Sequence, residues 1–202
     1  MRPALLVISD GAGGIISACE LGLPQSLRQR CLIHRARNIL AKVPTHAEAK
    51  VKANYCAIFE GIEEEAGSAP KAETWQRAEL FATKWCPLFP STVECPENDF
   101  EHLITYLRFP KEHWKRIRHS NFIERTFGDT RGRAKVIGSL PGEQNCLSLV
   151  WAVLDRASKG WQGVKTVPTA VRYLRNLRQE LIEPPPKYNG EEVIKARVTT
   201  AA

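Results

Sequence analysis

Two carboxylates stand out for the company they keep. Asp10 ends the apolar run "ALLVIS" and opens the glycine-rich "DGAGG". Glu124 lies in the stretch from 111 to 135, where Lys111, Lys115, Arg116, Arg118, Arg125, Arg131, Arg133 and Lys135 face only Glu112, Glu124 and Asp129. Acids from separate elements, set among Lys and Arg, suit metal-dependent phosphoryl transfer. Carboxylate oxygens hold hard divalent ions, two of them about 3.5–4 Å apart in the two-metal form, and the cations hold the phosphate backbone. Each acid also has a plainer reading. Asp after a buried strand often just begins a turn. Asn121 followed three positions later by Glu124 has the form of a capping box, which satisfies orphan helix N–H groups.

A second group is Cys31 and His34, spaced C-x-x-H. With Cys86 and Cys95 they could build a zinc site, although "CPLFPSTVEC" is too long for a tight ligand pair. The remaining cysteines, 19, 56 and 146, are irregularly spaced, which argues against a disulfide framework in a reducing compartment.

The elements that must position these residues follow from patterning. "ALLVIS", residues 4–9, reads as a parallel strand buried on both faces. "IISACELGL" reads as a helix closed by Gly22 and Pro24, and "LRQRCLIH", residues 27–34, as a second strand. Strand, helix and strand make a right-handed crossover, which puts Asp10 at the carboxyl ends of the strands, where open α/β sheets place ligands. From Arg35 to Pro110 all periodic segments are helical. After the basic stretch, Cys146, Val150, Val153, Ala157 and Trp161 line one helical stripe, and Val171, Leu174, Leu177 and Leu181 another. The expected organisation is a partial α/β core over 1–43, a helical insertion over 44–110, a catalytic Glu helix with C-terminal helices over 111–181, and a flexible tail over 182–202.

The net charge of +7 and pI near 9.2 favour polyanionic partners. Eight cations against three acids in 111–135, and Arg28, Arg30, Arg35, Arg37 and Lys42 with no acid over 21–47, form two separate basic patches, which points to nucleic acid. No apolar run approaches the roughly 18 residues of a membrane span, and the N-terminal residues lack the pattern of a secretory signal. A cytoplasmic chain with no membrane partner is expected.

In order, "VISDGAGG", "QRCLIHRARNIL" and "FPKEHWKRIRHSNFIERTFGDTRGRAKVIGSLP" resemble the Mutator-type (IS256) transposases, from residue 4 to about 163. The resemblance implies a ribonuclease H-like (retroviral integrase-like) α/β core interrupted by an all-α insertion. It also implies a DDE acid triad with Mg²⁺ (or Mn²⁺), cleavage at transposon ends and strand transfer to target DNA. DNA and a homo-oligomer with full-length transposase are the implied partners, and nucleoid association is implied in a bacterium. By position Asp10 resembles the second acid and Glu124 the third. Cys31 and His34 match the family's C-x-x-H signature, with a structural or DNA-positioning role in preference to metal ligation. Trp85 resembles an inserted tryptophan that stacks on DNA, with core packing as the alternative. Arg118, Asn121, Arg125, Arg131, Arg133 and Lys135 are candidates for DNA backbone contacts.

The sequence departs from that pattern in two ways. No residue matches the first acid, which the family carries upstream of the "SDG" strand; Asp99, Asp129 and Asp155 lie elsewhere. Gly128 and Gly132 weaken the helix after Glu124. The expectation is a transposase segment left by a truncated element, inactive alone, with an unpaired sheet edge. The alternative is a non-catalytic DNA-binding or subunit-binding remnant.

Overall fold

The computed structural model describes residues 3–62, 69–90, 96–137, 142–160, 163 and 166–182. The expected tail beyond Ile182, Cys95 and Trp161 fall outside them. The chain is mostly helical around a small parallel sheet. β1 (Leu6–Ser9) and β2 (Leu27–Arg30) flank α1 (Gly13–Gly22). Then come α2 (Leu32–Leu40), α3 (Thr45–Phe59), α4 (Pro70–Trp85), α5 (Pro96–Leu103) and a 3₁₀ turn over Thr105–Arg108. The described chain closes with α6 (Lys111–Ile117), α7 (Asn121–Ile137), α8 (Glu143–Ser158) and α9 (Pro168–Leu181).

The two strands pair in parallel, from Leu6 opposite Leu27 to Ser9 opposite Arg30. The second strand is four residues shorter than its apolar pattern predicts. Cys31 is still extended, but Leu32, Ile33 and His34 turn into α2, because Leu32 and Ile39 then share a buried helical face. β1 is also less buried than expected. Of its residues only Ser9 is buried, and α1 buries none, leaving Ile15 and Leu21 exposed. The expected open sheet edge is therefore seen on β1 among the described residues.

The outer edge of β2 is covered by the helical insertion instead. The Gln29 side chain, fully buried, donates through Nε2 to Leu103 O at 2.9 Å and to Arg30 O at 2.8 Å, and accepts the Tyr106 N–H at 2.7 Å. Thr105 Oγ1 donates to Arg28 O at 2.9 Å. Asp99 of α5 pairs with Arg30 and lies 3.8 Å from Arg28. The helical block thus caps this side of β2, through Thr105 on Arg28 O and the Gln29 amide on Leu103 and Tyr106.

The core lies in the insertion rather than on the sheet. Val51, Tyr55, Ile58 and Phe59 of α3 meet Ala78, Phe81 and Trp85 of α4, with Phe100, Leu103, Ile104 and Tyr106 closing the cluster. Burying each of the larger side chains contributes roughly 1.5–3 kcal/mol. Edge-to-face rings reinforce it: Tyr55 with Phe59 at 5.3 Å, and Tyr106 with Trp114 at 5.7 Å. Tyr55 is tied to the sheet side by its hydroxyl, which donates to Leu32 O at 3.1 Å. Burial pushes that phenol far above its ordinary range, so it stays a donor.

α7 runs unbroken through Gly128 and Gly132, the two residues expected to weaken it. Thr126 and Thr130 are buried, Thr130 Oγ1 donates to Thr126 O at 3.0 Å, and packing against α8 offsets the roughly 1 kcal/mol cost of each glycine. α9 turns the predicted stripe inward, with Ala170 and Leu177 buried. On α8 only Val153 is buried, and Leu147 and Trp151 remain exposed. No helix among the described residues is long and apolar enough to cross a membrane.

Candidate functional site

The site begins at the carboxyl ends of the two strands. Cys31 N–H donates to Ser9 O at 2.7 Å, extending the ladder by one bond, so Asp10 and Cys31 leave neighbouring strands side by side. Adjacent strands lie about 4.8 Å apart. Asp10 forms a local turn in which Oδ1 accepts the Ala12 N–H at 3.0 Å. The turn needs Gly11, whose φ is +87°, and a Cβ there would sit 2.6 Å from Arg30 Nε. The plainer reading of Asp10 as a turn former is therefore visible, with its second carboxylate oxygen left over for other work.

Glu124 reaches the same edge from the far end of the sequence. The segment joining α6 to α7 docks on the start of α2: Leu32 N–H donates to Arg118 O at 3.1 Å, and Ser120 N–H donates to Cys31 Sγ at 3.3 Å. These bonds satisfy donors that a helix start and a turn leave open. α7 starts at Asn121, one place earlier than the predicted capping box requires, so Asn121 is the first helical residue and not the N-cap. The carboxylate instead engages three other side chains. Ser120 Oγ donates to Oε1 at 2.8 Å, Arg37 Nη1 meets Oε2 at 3.2 Å, and His34 Nδ1 lies 3.5 Å from Oε1. The Ser120 hydrogen bond first, then Arg37 and His34, hold the Glu124 carboxyl below its ordinary value.

The result is a compact cluster. The ligating atoms of Cys31, His34 and Glu124 all lie within 4.8 Å of one another, and Asp10 is not part of that group. Cys31 is fully buried, whereas His34 and Glu124 are partly open to solvent. Beside it, a cleft of about 530 Å³ has a largely apolar wall around Tyr55 and Phe59, with Arg37, Lys52, Arg118 and His119 and one acid, Glu60, on its lining. Burial, with Arg118 alongside, pushes His119 below its ordinary value.

The other sequence-predicted residues divide. Arg125, Arg131, Arg133 and Lys135 are all exposed along α7, whereas Thr126 and Thr130 are buried. Arg118 is half-buried, and its guanidinium reaches Phe59 O at 3.4 Å, so it braces the insertion as well as lining the cleft. The Asn121 side chain lies outside the described residues. Trp85 is 6% exposed, donates through Nε1 to Asn54 Oδ1 at 3.2 Å and stacks on Phe89. The geometry thus supports its core-packing alternative. Cys86 is exposed and stands apart from the Cys31–His34 pair.

Two residues at the site are not among the sequence candidates, although both lie in the quoted segments. Ser120 precedes Glu124 by one helical turn, and Arg37 follows His34 by three positions on the same helix face. The pairing of Arg37 with His34 shows only once α2 is recognised to start at Leu32.

The implied Mg²⁺ does not fit this arrangement as it stands. Asp10 and Glu124 offer oxygen donors, but the metal-ligating side chains clustered with Glu124 contribute a thiol sulfur and an imidazole nitrogen, and Asp10 Oδ1 is engaged by Ala12. Mg²⁺ takes oxygen ligands, near-octahedrally.

Comparison with known proteins places the chain. Residues 1–164 match the family model described as transposase, Mutator family. The chain belongs to the Mutator family of transposases. It is 32% identical over 160 residues to the transposase for insertion sequence element IST2 of Acidithiobacillus ferrooxidans, covering 79% of this chain and 52% of that protein. It is 29% identical over 164 residues to the transposase for IS6120 of Mycolicibacterium smegmatis, 81% of this chain and 49% of the relative. With the transposase for IS406 of Burkholderia multivorans the identity is 32% over 163 residues, 80% and 40%. The chain spans about half the length of the relatives it matches, or less. α9 lies beyond the matched region.

Proposed function

We propose that this chain supplies part of the catalytic region of a DDE-type transposase that acts on DNA, on a ribonuclease H-like arrangement of the IS256 kind. Asp10 and Glu124 serve as two of its acids, and Mg²⁺ or Mn²⁺ is the expected cofactor. The supporting observation is the convergence at one sheet edge. Asp10 ends β1, the C-x-x-H pair follows β2, and the 118–120 segment brings Glu124 to the same place. The division into a core over 1–43, an insertion over 44–110 and a Glu-bearing segment over 111–181 goes with this reading, as does assembly with further transposase subunits.

In it the chain's own residues hold and orient the substrate. Arg37, Lys52 and Arg118 line the cleft beside Glu124, where a DNA strand's phosphates would be neutralised. Arg125, Arg131, Arg133 and Lys135 extend that positive surface along α7. Ser120 and Arg37 keep Glu124 ionised and fixed in orientation. Because the donors around Glu124 do not suit Mg²⁺, no chemical step is assigned to it here.

A second reading is favoured by the same donors: a protein that binds DNA or a transposase subunit and does not cut. One experiment separates the two. The purified chain is incubated with supercoiled plasmid and Mn²⁺ or Mg²⁺, beside Asp10→Asn and Glu124→Gln, and its affinity for duplex DNA is measured against salt. Nicking that both substitutions abolish supports the catalytic reading. Steep salt dependence without nicking supports the binding reading, with replacement of Arg131, Arg133 and Lys135 by Ala each flattening the slope by about 0.9. Salt-independent or absent binding defeats both.

A further inference from the structure

We infer that Cys31, His34 and Glu124 form a site for a borderline-soft divalent metal ion of the zinc class, separate from any Mg²⁺ chemistry at Asp10. The donor set carries the argument. One thiol, one imidazole and one carboxylate, with room for a fourth ligand, is a combination that Zn²⁺ or Co²⁺ takes and that Mg²⁺ does not.

The geometry is close to what such an ion needs. Around a tetrahedral Zn²⁺ with bonds of about 2.0–2.3 Å, ligand atoms stand roughly 3.3–3.8 Å apart. Here they lie within 4.8 Å, and His34 Nδ1 is already 3.5 Å from Glu124 Oε1. Closing the set asks for a shift of about 1 Å, which the long and partly exposed Glu124 side chain can make. Cys31 and His34 are held in register by the backbone, one at the N-cap of α2 and the other in its first turn.

The surroundings supply what tunes and orients ligands in metal sites. Ser120 N–H points at Cys31 Sγ, Ser120 Oγ donates to Glu124 Oε1, and Arg37 holds Oε2. The cluster is closed on the Cys31 side and open on the side of His34 and Glu124, so the fourth position faces solvent. On binding, the Cys31 thiol gives up its proton to solvent and the metal–sulfur bond forms in its place. The ion would join β2 and α2 to the start of α7, two parts of the chain remote in sequence. The site shares Glu124 with the proposed catalytic acids, but its readout, the affinity for a metal ion, does not depend on the chain cutting DNA.

The test uses the whole chain, stripped of metal by a chelator and titrated with Co²⁺, a spectroscopic substitute for zinc. The expected result is one ion per chain with a thiolate-to-cobalt charge-transfer band, displaced by Zn²⁺ and not by excess Mg²⁺. Cys31→Ser removes the band. His34→Ala and Glu124→Gln weaken binding at least tenfold, and Asp10→Asn leaves it unchanged, with circular dichroism confirming the fold of each variant. Glu124 is partly exposed and outside the core, so Glu124→Gln decides the matter if Cys31→Ser does not fold. No charge-transfer band, a band that survives Cys31→Ser, an affinity indifferent to Glu124→Gln, or equal loss in Asp10→Asn overturns the inference.

Discussion

Gln29 is the polar pin between the sheet that carries the site and the helical block that carries the stability. Its amide makes three hydrogen bonds in full burial, two of them to backbone groups of the insertion, Leu103 O and Tyr106 N–H. Replacement by Leu keeps the volume and removes all three. Two buried backbone groups then lose their partners, at about 1–3 kcal/mol each, which gives roughly 2–6 kcal/mol. Against a total stability of about 5–15 kcal/mol that is a large fraction. For a chain of this size each kcal/mol moves Tm by about 2–4 °C, so a central value near 4 kcal/mol predicts a fall of about 8–16 °C. Gln29→Glu separates the two halves of the effect. It keeps an acceptor for the Tyr106 N–H but turns a charged oxygen toward Leu103 O, so it should be at least as damaging as Leu above neutral pH and should recover in acid. The assay is urea and thermal unfolding followed by circular dichroism. A Gln29→Leu protein within about 0.5 kcal/mol of the parent would show that water reaches this edge and that the amide does not hold the two parts together.

Two other predictions follow from burial and charge. His102 and His119 are both pushed below their ordinary value of 6.5, in each case first by burial, so the unfolded chain binds their protons more readily than the folded one. Their contribution is therefore complete above that value and is lost as pH falls through it, whereas that of Glu124, depressed from 4.5, is lost only further into acid. Urea midpoints measured from about pH 8 to about pH 3 should decline in two stages, the first of which disappears in a His102→Gln, His119→Gln protein; a single stage below 4.5 in the parent would contradict the histidine assignment. Trp85→Ala should cost about 3–5 kcal/mol, and Trp85→Phe should cost far less while leaving DNA affinity unchanged. A Trp85→Phe protein that keeps its stability but loses DNA binding would instead restore the stacking role.

Much of this organisation is legible in the residues. The apolar run before Asp10, the crossover and the all-helical insertion all follow from periodicity and glycine or proline punctuation, and the structure keeps them. Two features at the site are not legible that way. The pattern "LRQRCLIH" is apolar enough to continue a strand, and nothing local says that the chain turns helical after Cys31. That choice is made by Leu32 and Ile39 packing on the insertion and by Arg118 O capping the Leu32 N–H, a contact between segments remote in sequence. Once His34 is helical, Arg37 shares its face, and the Glu124 partners become visible. β1 is misjudged for the opposite reason. A run of branched apolar residues records what a strand can bury, and among the described residues only part of that surface is covered.

The position of Glu124 also bears on why one acid stands in so basic a stretch. An acid in the first turn of a helix gains about 0.3–1 kcal/mol from the helix dipole, and that alone would account for its presence. A residue kept only for its own helix would draw its partners from that helix and the turn before it, as Ser120 does. Glu124 also takes Arg37 and His34 from α2, and Ser120 is itself fastened to the same region through its N–H on Cys31. Two segments, α2 and the start of α7, each fixed by separate backbone bonds, therefore meet at one carboxylate. Surface ion pairs are worth little, about 0–1 kcal/mol, so stability gives weak grounds for assembling the Arg37 and His34 contacts at a half-open cleft. A ligand that needs a fixed, ionised carboxylate beside positive charge gives better ones. Both the DNA-facing reading of Glu124 and the metal inferred at Cys31 and His34 meet that requirement, and Glu124→Gln tests both, through the nicking of plasmid in one case and the affinity for cobalt in the other.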